Sequence, residues 1–218
     1  MNDDKNESGI TGKFSVALGL FDYINPVLYS ITVITLMKNM HGKMNTAVFC
    51  IFAAGAVLSL VFGLAIPTVK LLVGLGKMEF KMPVNLVSFV NTGILLSGIS
   101  LAGYVLGITA VGSLIVLLVT AAVLLIMWRI TGKFNTVAVL IGAAGYIMIY
   151  ASLISLSVRK GMLIPIILCA FAICFFVSLC LVGIKADLKN ARVHWALEIS
   201  NVTCQLLVAL ATLVLFLG

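Results

Sequence analysis

Two acidic residues, Asp22 and Glu198, stand inside long apolar runs of this chain. Each belongs to a polar stripe at helical spacing. In the last run His194, Glu198, Asn201 and Gln205 recur at intervals of four, three and four, which places all four on one helix face. In the first run Asp22 leads to Asn25, Tyr29 and Thr32. An ionised carboxylate at the centre of a bilayer costs about 2.5 kcal/mol or more, so each acid must face a cavity or a partner. Chemistry suited to such a pair is cation or proton binding. His194 and Glu198, four apart, can touch within one helix and relay protons near neutral pH. The alternative is an interfacial histidine paired with a buried acid, which the neighbouring Trp195 supports.

Pro26 follows Asn25 and removes the donor to the carbonyl of Asp22, so FDYINP predicts a kinked or broken span. Transporters build substrate and ion sites at such interruptions. A plain proline kink, with Asp22 paired to a tyrosine or a loop lysine, is the other reading. Asn91 is expected at a depth similar to Asp22 and Asn201, so Asp22, Asn25, Tyr29, Asn91, Glu198 and Asn201 form the candidate substrate or ion site. Hydrogen bonding between spans explains an asparagine equally well. No basic residue is expected deep in the spans to neutralise the acids. That points to a cationic substrate, a coupling cation or protons.

Sixty-two per cent of the 218 residues are hydrophobic and only 10% are charged. A soluble domain carries about a quarter charged residues, and several apolar runs here exceed the roughly 20 residues that cross a bilayer. The chain is therefore read as an all-α integral membrane protein. Seven helices are predicted, at about 14–37, 46–75, 84–107, 110–130, 135–157, 162–185 and 193–217. Only residues 107 to 110 separate the third from the fourth, so six spans with one long bent helix is the competing count. Residues 1–13 are a polar N-terminus without the core of a signal peptide. The remainder, 14–218, is one transmembrane domain.

With seven spans, one side receives Lys5, Lys13, Lys70, Lys77, Lys81, Arg129, Lys133, Lys185, Lys189 and Arg192, and the other Lys38, Lys43, Arg159 and Lys160. The excess predicts a cytoplasmic N-terminus and an outside C-terminus. Short loops and residue usage suggest a bacterial plasma membrane. A net charge of +7 scattered over such loops reflects topology, not nucleic-acid binding. Segment 71–83, LLVGLGKMEFKMP, is a candidate docking or interfacial surface. Small-residue stripes, Gly55–Ser59–Gly63 and Gly98–Ala102 with Gly103–Gly107, predict close helix packing, or a homo-oligomer contact.

Gly-Lys-Phe opens both the first run, at Gly12, and the fifth, at Gly132, and with one gap Tyr29 and Tyr150 align within them. FCIF and SLVFG at 49–52 and 59–63 match LCAF and SLCLV at 168–171 and 178–182. At a common offset Ser88 and Asn91 fall opposite Glu198 and Asn201. This suggests a parallel repeat, with halves of about 14–107 and 135–217 around a linker helix at 110–130. The plan resembles, in architecture, the sugar-transporting SWEET proteins, the PQ-loop carriers and the KDEL receptors. The Pro-Gln pair of the PQ-loop carriers is absent, since the four prolines precede Val27, Thr68, Val84 and Ile166. Seven spans also suggest microbial rhodopsins, but the last run has no lysine to carry retinal.

The five cysteines all lie in apolar runs and form no CxxC pair. With two histidines and no metal-ligand or nucleotide motif, no metal site, cofactor or enzymatic activity is expected. The expectation is a small-molecule transporter, cation- or proton-coupled. A membrane subunit, scaffold or receptor-like element is the alternative, and a passive channel a third.

Overall fold

The computed structural model describes residues 15–77, 84–131, 134–185 and 191–218. The polar N-terminus 1–13, and with it Lys5 and Lys13, lies outside the described residues. So do Lys81, Lys133, Lys189 and the second half of the segment 71–83.

Every described element is helical: α1 (Val16–Asp22), α2 (Ile24–Met40), α3 (Thr46–Gly74), α4 (Val84–Leu106), α5 (Ala110–Thr131), α6 (Phe134–Arg159), α7 (Leu163–Lys185) and α8 (Ala191–Leu217). No strand occurs among the described residues. Six helical stretches there are long and apolar enough to cross a membrane. One of them, Val16–Met40, comprises α1 and α2, and another, Thr46–Gly74, is the whole of α3. At 29 residues α3 extends about 43 Å, longer than the roughly 30 Å hydrocarbon layer.

Local chemistry explains the boundaries. Ser15 caps α1 by accepting from Leu18 N at 3.1 Å, and Asn45 caps α3 by accepting from Ala47 N at 3.0 Å. The interruption that Pro26 foretells falls at Tyr23, between α1 and α2. The narrow gap after α4 is a true helix end. Gly107 takes φ of 69°, and the Ile108 N–H returns to Gly103 O at 2.8 Å, a left-handed cap that only glycine adopts without strain. Gly107 therefore ends a helix and is not part of a packing stripe.

Packing closes a ring, with α2 on α3, α3 on α4, α4 on α6, α6 on α7, α7 on α8 and α8 back on α2. Helix α5 stands outside it, and among the described residues it touches α3, α4 and α6. Outward side chains are apolar, among them Val57, Val61, Leu64, Ile147, Ile164, Phe171 and Leu206. Buried positions include Ser97, Ser100, Ser152, Ser157, Gln205 and Thr212. Hydroxyls of this kind return to the carbonyl one turn back, as Ser157 does to Leu153 O at 2.6 Å and Thr212 to Val208 O at 2.8 Å. An apolar outside and partnered polar groups inside are what a lipid solvent requires.

Glycine sets the closest helix crossings. A Cβ on Gly55 would stand 2.6 Å from Gly93 O, and one on Gly98 would stand 2.5 Å from Gly145 O. At the end of the bundle away from Asp22, two cations close helix C-termini. Arg159 donates to Val105 O at 2.5 Å, and Lys160 donates to Leu215 O at 2.6 Å while lying 4.7 Å over the Phe216 ring.

Candidate functional site

Asp22 and Glu198 are brought together, although 176 positions separate them in the chain. What joins them is Lys70. Its ammonium lies 2.6 Å from Asp22 Oδ2 and 2.8 Å from Glu198 Oε1. Asn25 completes the cluster, donating through Nδ2 to Asp22 Oδ1 at 3.1 Å and to Glu198 Oε2 at 3.4 Å. Both carboxylates are thus held by the same two donors. Only 8% of the Lys70 side chain is exposed, 9% of Asp22 and 13% of Glu198.

The expectation that no basic residue neutralises the acids is therefore wrong. Lys70 had been counted with the charges outside the spans, because it lies four residues before the end of α3. Its face was nevertheless readable. Ser59, Gly63, Ile66 and Lys70 follow at four, three and four, extending the small-residue stripe of α3 toward the bundle interior. Asp22 pairs with a lysine, but one inside helix α3 and not in a loop as the plainer reading of the kink had it. The cluster sets two carboxyl groups against one ammonium.

Local architecture holds these groups. Gly19 lets α1 approach α3 until a Cβ would meet the Leu71 backbone at 3.0 Å, beside Lys70. Tyr23, at the helix break, bonds through its hydroxyl to Thr68 Oγ1 at 2.7 Å, and Phe21 stacks at a tilt on Trp195, with ring centres 5.4 Å apart. These contacts tie the break to α3 and α8, the two helices that supply Lys70 and Glu198.

Beside the cluster lies a cavity of about 120 Å³. Asp22, Asn25, Pro26 and Tyr29 line it from α1 and α2; Ser59, Gly63, Ile66 and Pro67 from α3; Val90 and Ile94 from α4; Tyr146 from α6 and Gln205 from α8. Gln205 Nε2 donates to the Tyr146 hydroxyl at 2.9 Å. Ser59 donates to Val90 O at 3.0 Å, and Ser97, farther along α4, to Phe52 O at 3.3 Å. Both serines lie beside the Tyr29 hydroxyl as weak hydrogen-bonding neighbours, but no well-formed bond closes there, and Asn25 Oδ1 has no partner.

Of the six sequence-predicted binding residues, Asp22, Asn25 and Tyr29 line the cavity, and Glu198 holds Lys70 behind it. Asn91 instead packs its amide against Gly142, in the seam between α4 and α6. Asn201 is half-buried on α8 and does not line the cavity. The shared ring of Asp22, Asn91 and Glu198 is not formed. His194 is part of α8, but its side chain lies outside what is described. Sequence reasoning missed Tyr146 and Gly63 as cavity residues, along with Lys70. Tyr150, which the sequence comparison sets against Tyr29, is buried elsewhere, with its hydroxyl 3.2 Å from Cys204 Sγ. Among the described residues no group of three metal-ligating side chains gathers. Searches for similarity find no family model, curated protein or solved structure that matches the chain.

Proposed function

We propose that this chain is a small-molecule membrane transporter, coupled to protons or cations and not enzymatic. The single observation that carries this reading is a buried cluster of two carboxyl groups and one ammonium at the wall of a cavity among the helices. Charges this far from water are costly, and a structural role alone is served as well by apolar packing. A cluster with one carboxylate in excess has room for one more positive charge, a proton or a cation. The broken α1–α2 span places it, and such breaks are common at transport sites.

In this reading α5 is a seventh span that links two halves. The packing order supports a parallel repeat. An axis along the membrane normal that exchanges α1–α2, α3 and α4 with α6, α7 and α8 carries the α4–α6 seam onto the α8–α2 seam. The cavity belongs mainly to the first half, with Tyr146 and Gln205 reaching it from the second. Lipid surrounds the bundle, and the cationic excess puts the N-terminus and the Asp22 cluster on the cytoplasmic side of a bacterial plasma membrane, with the C-terminus outside.

Coupling follows from competition. Lys70 is a tethered cation on the two acids. A proton or cation arriving at Asp22 weakens the attraction for Lys70, loosening the contact between α3 and the break at Tyr23. Substrate access and cation binding are linked through that contact.

Purified protein in proteoliposomes provides the test. Currents on a solid-supported membrane are recorded for a panel of amines, amino acids and sugars under a proton gradient. Asp22→Asn is expected to lower any substrate-evoked current at least about tenfold while the protein stays folded, since the variant leaves Lys70 balanced by Glu198 alone. No current from any member of the panel, together with stable co-purification of another membrane protein, favours the interaction-protein reading. Undiminished current in Asp22→Asn removes Asp22 from the site.

A further inference from the structure

Two buried side-chain atoms of the cavity, Asn25 Oδ1 and the Tyr29 hydroxyl, can accept a hydrogen bond and lack a well-formed one. Asn25 is oriented by its donation to both carboxylates, because turning the amide over would set its oxygen against Asp22 and Glu198. Its Oδ1 is consequently left as a buried acceptor without a partner. Pro26 and Pro67 both line the cavity, and each lacks the N–H that would bond the carbonyl four residues back, those of Asp22 and Gly63. The Tyr29 hydroxyl, on a residue only 6% exposed, closes no well-formed hydrogen bond, with the Ser59 and Ser97 hydroxyls beside it as its weak neighbours. A buried polar group left unpaired costs about 1–3 kcal/mol. This wall calls for a donor.

Charge points the same way. Lys70 neutralises one carboxylate of two, and its ammonium engages one oxygen of each. Size and surface narrow the class. A closed cavity of about 150 Å³ accommodates benzene; this one, about 120 Å³ and open on one side, holds roughly four to five non-hydrogen atoms within its walls. Ile66, Val90 and Ile94 with the proline rings give the wall an aliphatic part, beside the polar Ser59, Tyr146 and Gln205. A bare inorganic ion would leave that surface without contacts.

We infer that the cavity is a binding site for a small protonated alkylamine. Its ammonium donates to Asn25 Oδ1 and Asp22, its approach satisfies the Tyr29 hydroxyl, and its short alkyl tail lies on the aliphatic wall. The inference deepens the transport reading, and rests on it for what the bound amine is for.

Equilibrium binding of radiolabelled methylammonium to the full chain in lipid nanodiscs is the experiment. Saturable binding is expected, displaced by ethylammonium and not by equimolar sodium. Tyr29→Phe keeps the ring and is expected to unfold at the wild-type temperature while binding about two- to tenfold more weakly. Asp22→Asn is expected to abolish saturable binding. Absence of saturable binding to folded protein, displacement by sodium alone, or equal binding by wild type and both variants overturns the proposal. The two readings fail separately. Proton-coupled current that depends on Asp22, with no methylammonium bound, removes the amine and leaves transport. Methylammonium bound but never carried into proteoliposomes leaves the site and removes transport.

Discussion

Replacing Lys70 by methionine is expected to cost about 3–5 kcal/mol of stability, the penalty for removing one partner from a buried ion pair. Against the 5–15 kcal/mol that holds an ordinary domain together, that is enough to cut folded yield sharply. The reason is charge count. Lys70→Met leaves two carboxylates, each about nine-tenths buried, facing each other with only the Asn25 amide between them. Asp22→Asn, by contrast, leaves one cation with one anion, and Asn is nearly the same shape. Single substitutions within one cluster should therefore differ widely, with loss of the base severe and loss of the acid mild. A triple variant, Lys70→Met with Asp22→Asn and Glu198→Gln, contains no charge and should regain most of the lost stability while remaining unable to bind a cation. Thermal unfolding in a fixed detergent, followed by loss of monodisperse protein on size exclusion, reads all three. Equal stability of Lys70→Met and wild type would mean that Lys70 does not bridge the acids.

The same cluster shows how far the sequence could be read. Helix existence was legible throughout, because lipid enforces long apolar runs and glycine or polar residues interrupt them. The kink at Pro26 was legible too, since a missing N–H is a covalent fact. Asp22 and Glu198 stood out by cost alone. Their partner did not, because lysine near a helix end ordinarily extends its stem toward the interface, and the helix-end rule outweighed the stripe from Ser59 to Lys70. Asn91 failed for a related reason. Depth along a helix follows from counting residues, but the direction of a side chain depends on which neighbour has a gap, and Gly142 on α6 supplied one. Periodicity defines a face; only packing decides which helix that face meets.

Gly98→Ala and Gly63→Ala make the same chemical change, and opposite results are expected. At Gly98 the added methyl would sit 2.5 Å from Gly145 O and 3.1 Å from Gly145 Cα. Both obstacles are backbone, so α4 and α6 must separate. The reciprocal position is equally tight, with a Cβ on Gly145 meeting Ile94 C and Leu95 N at 2.7 Å. Overpacking of this kind costs about 1–3 kcal/mol or more, and nothing at the crossing is a flexible side chain able to yield. The consequence reaches the cavity. Ile94 lies one turn before Gly98, and Tyr146 adjoins Gly145, so spreading the seam moves two walls at once. Gly98→Ala should lower the unfolding temperature and weaken methylammonium binding together. At Gly63 the methyl would meet only Pro26 Cβ, at 3.8 Å, an ordinary contact. There alanine gains up to about 1 kcal/mol of helix propensity over glycine, so Gly63→Ala should be neutral or stabilising. Its methyl still enters the cavity wall, and the amine site should lose room for ethylammonium before it loses methylammonium. Equal behaviour of the two variants in unfolding would show that α4 and α6 do not cross at these glycines.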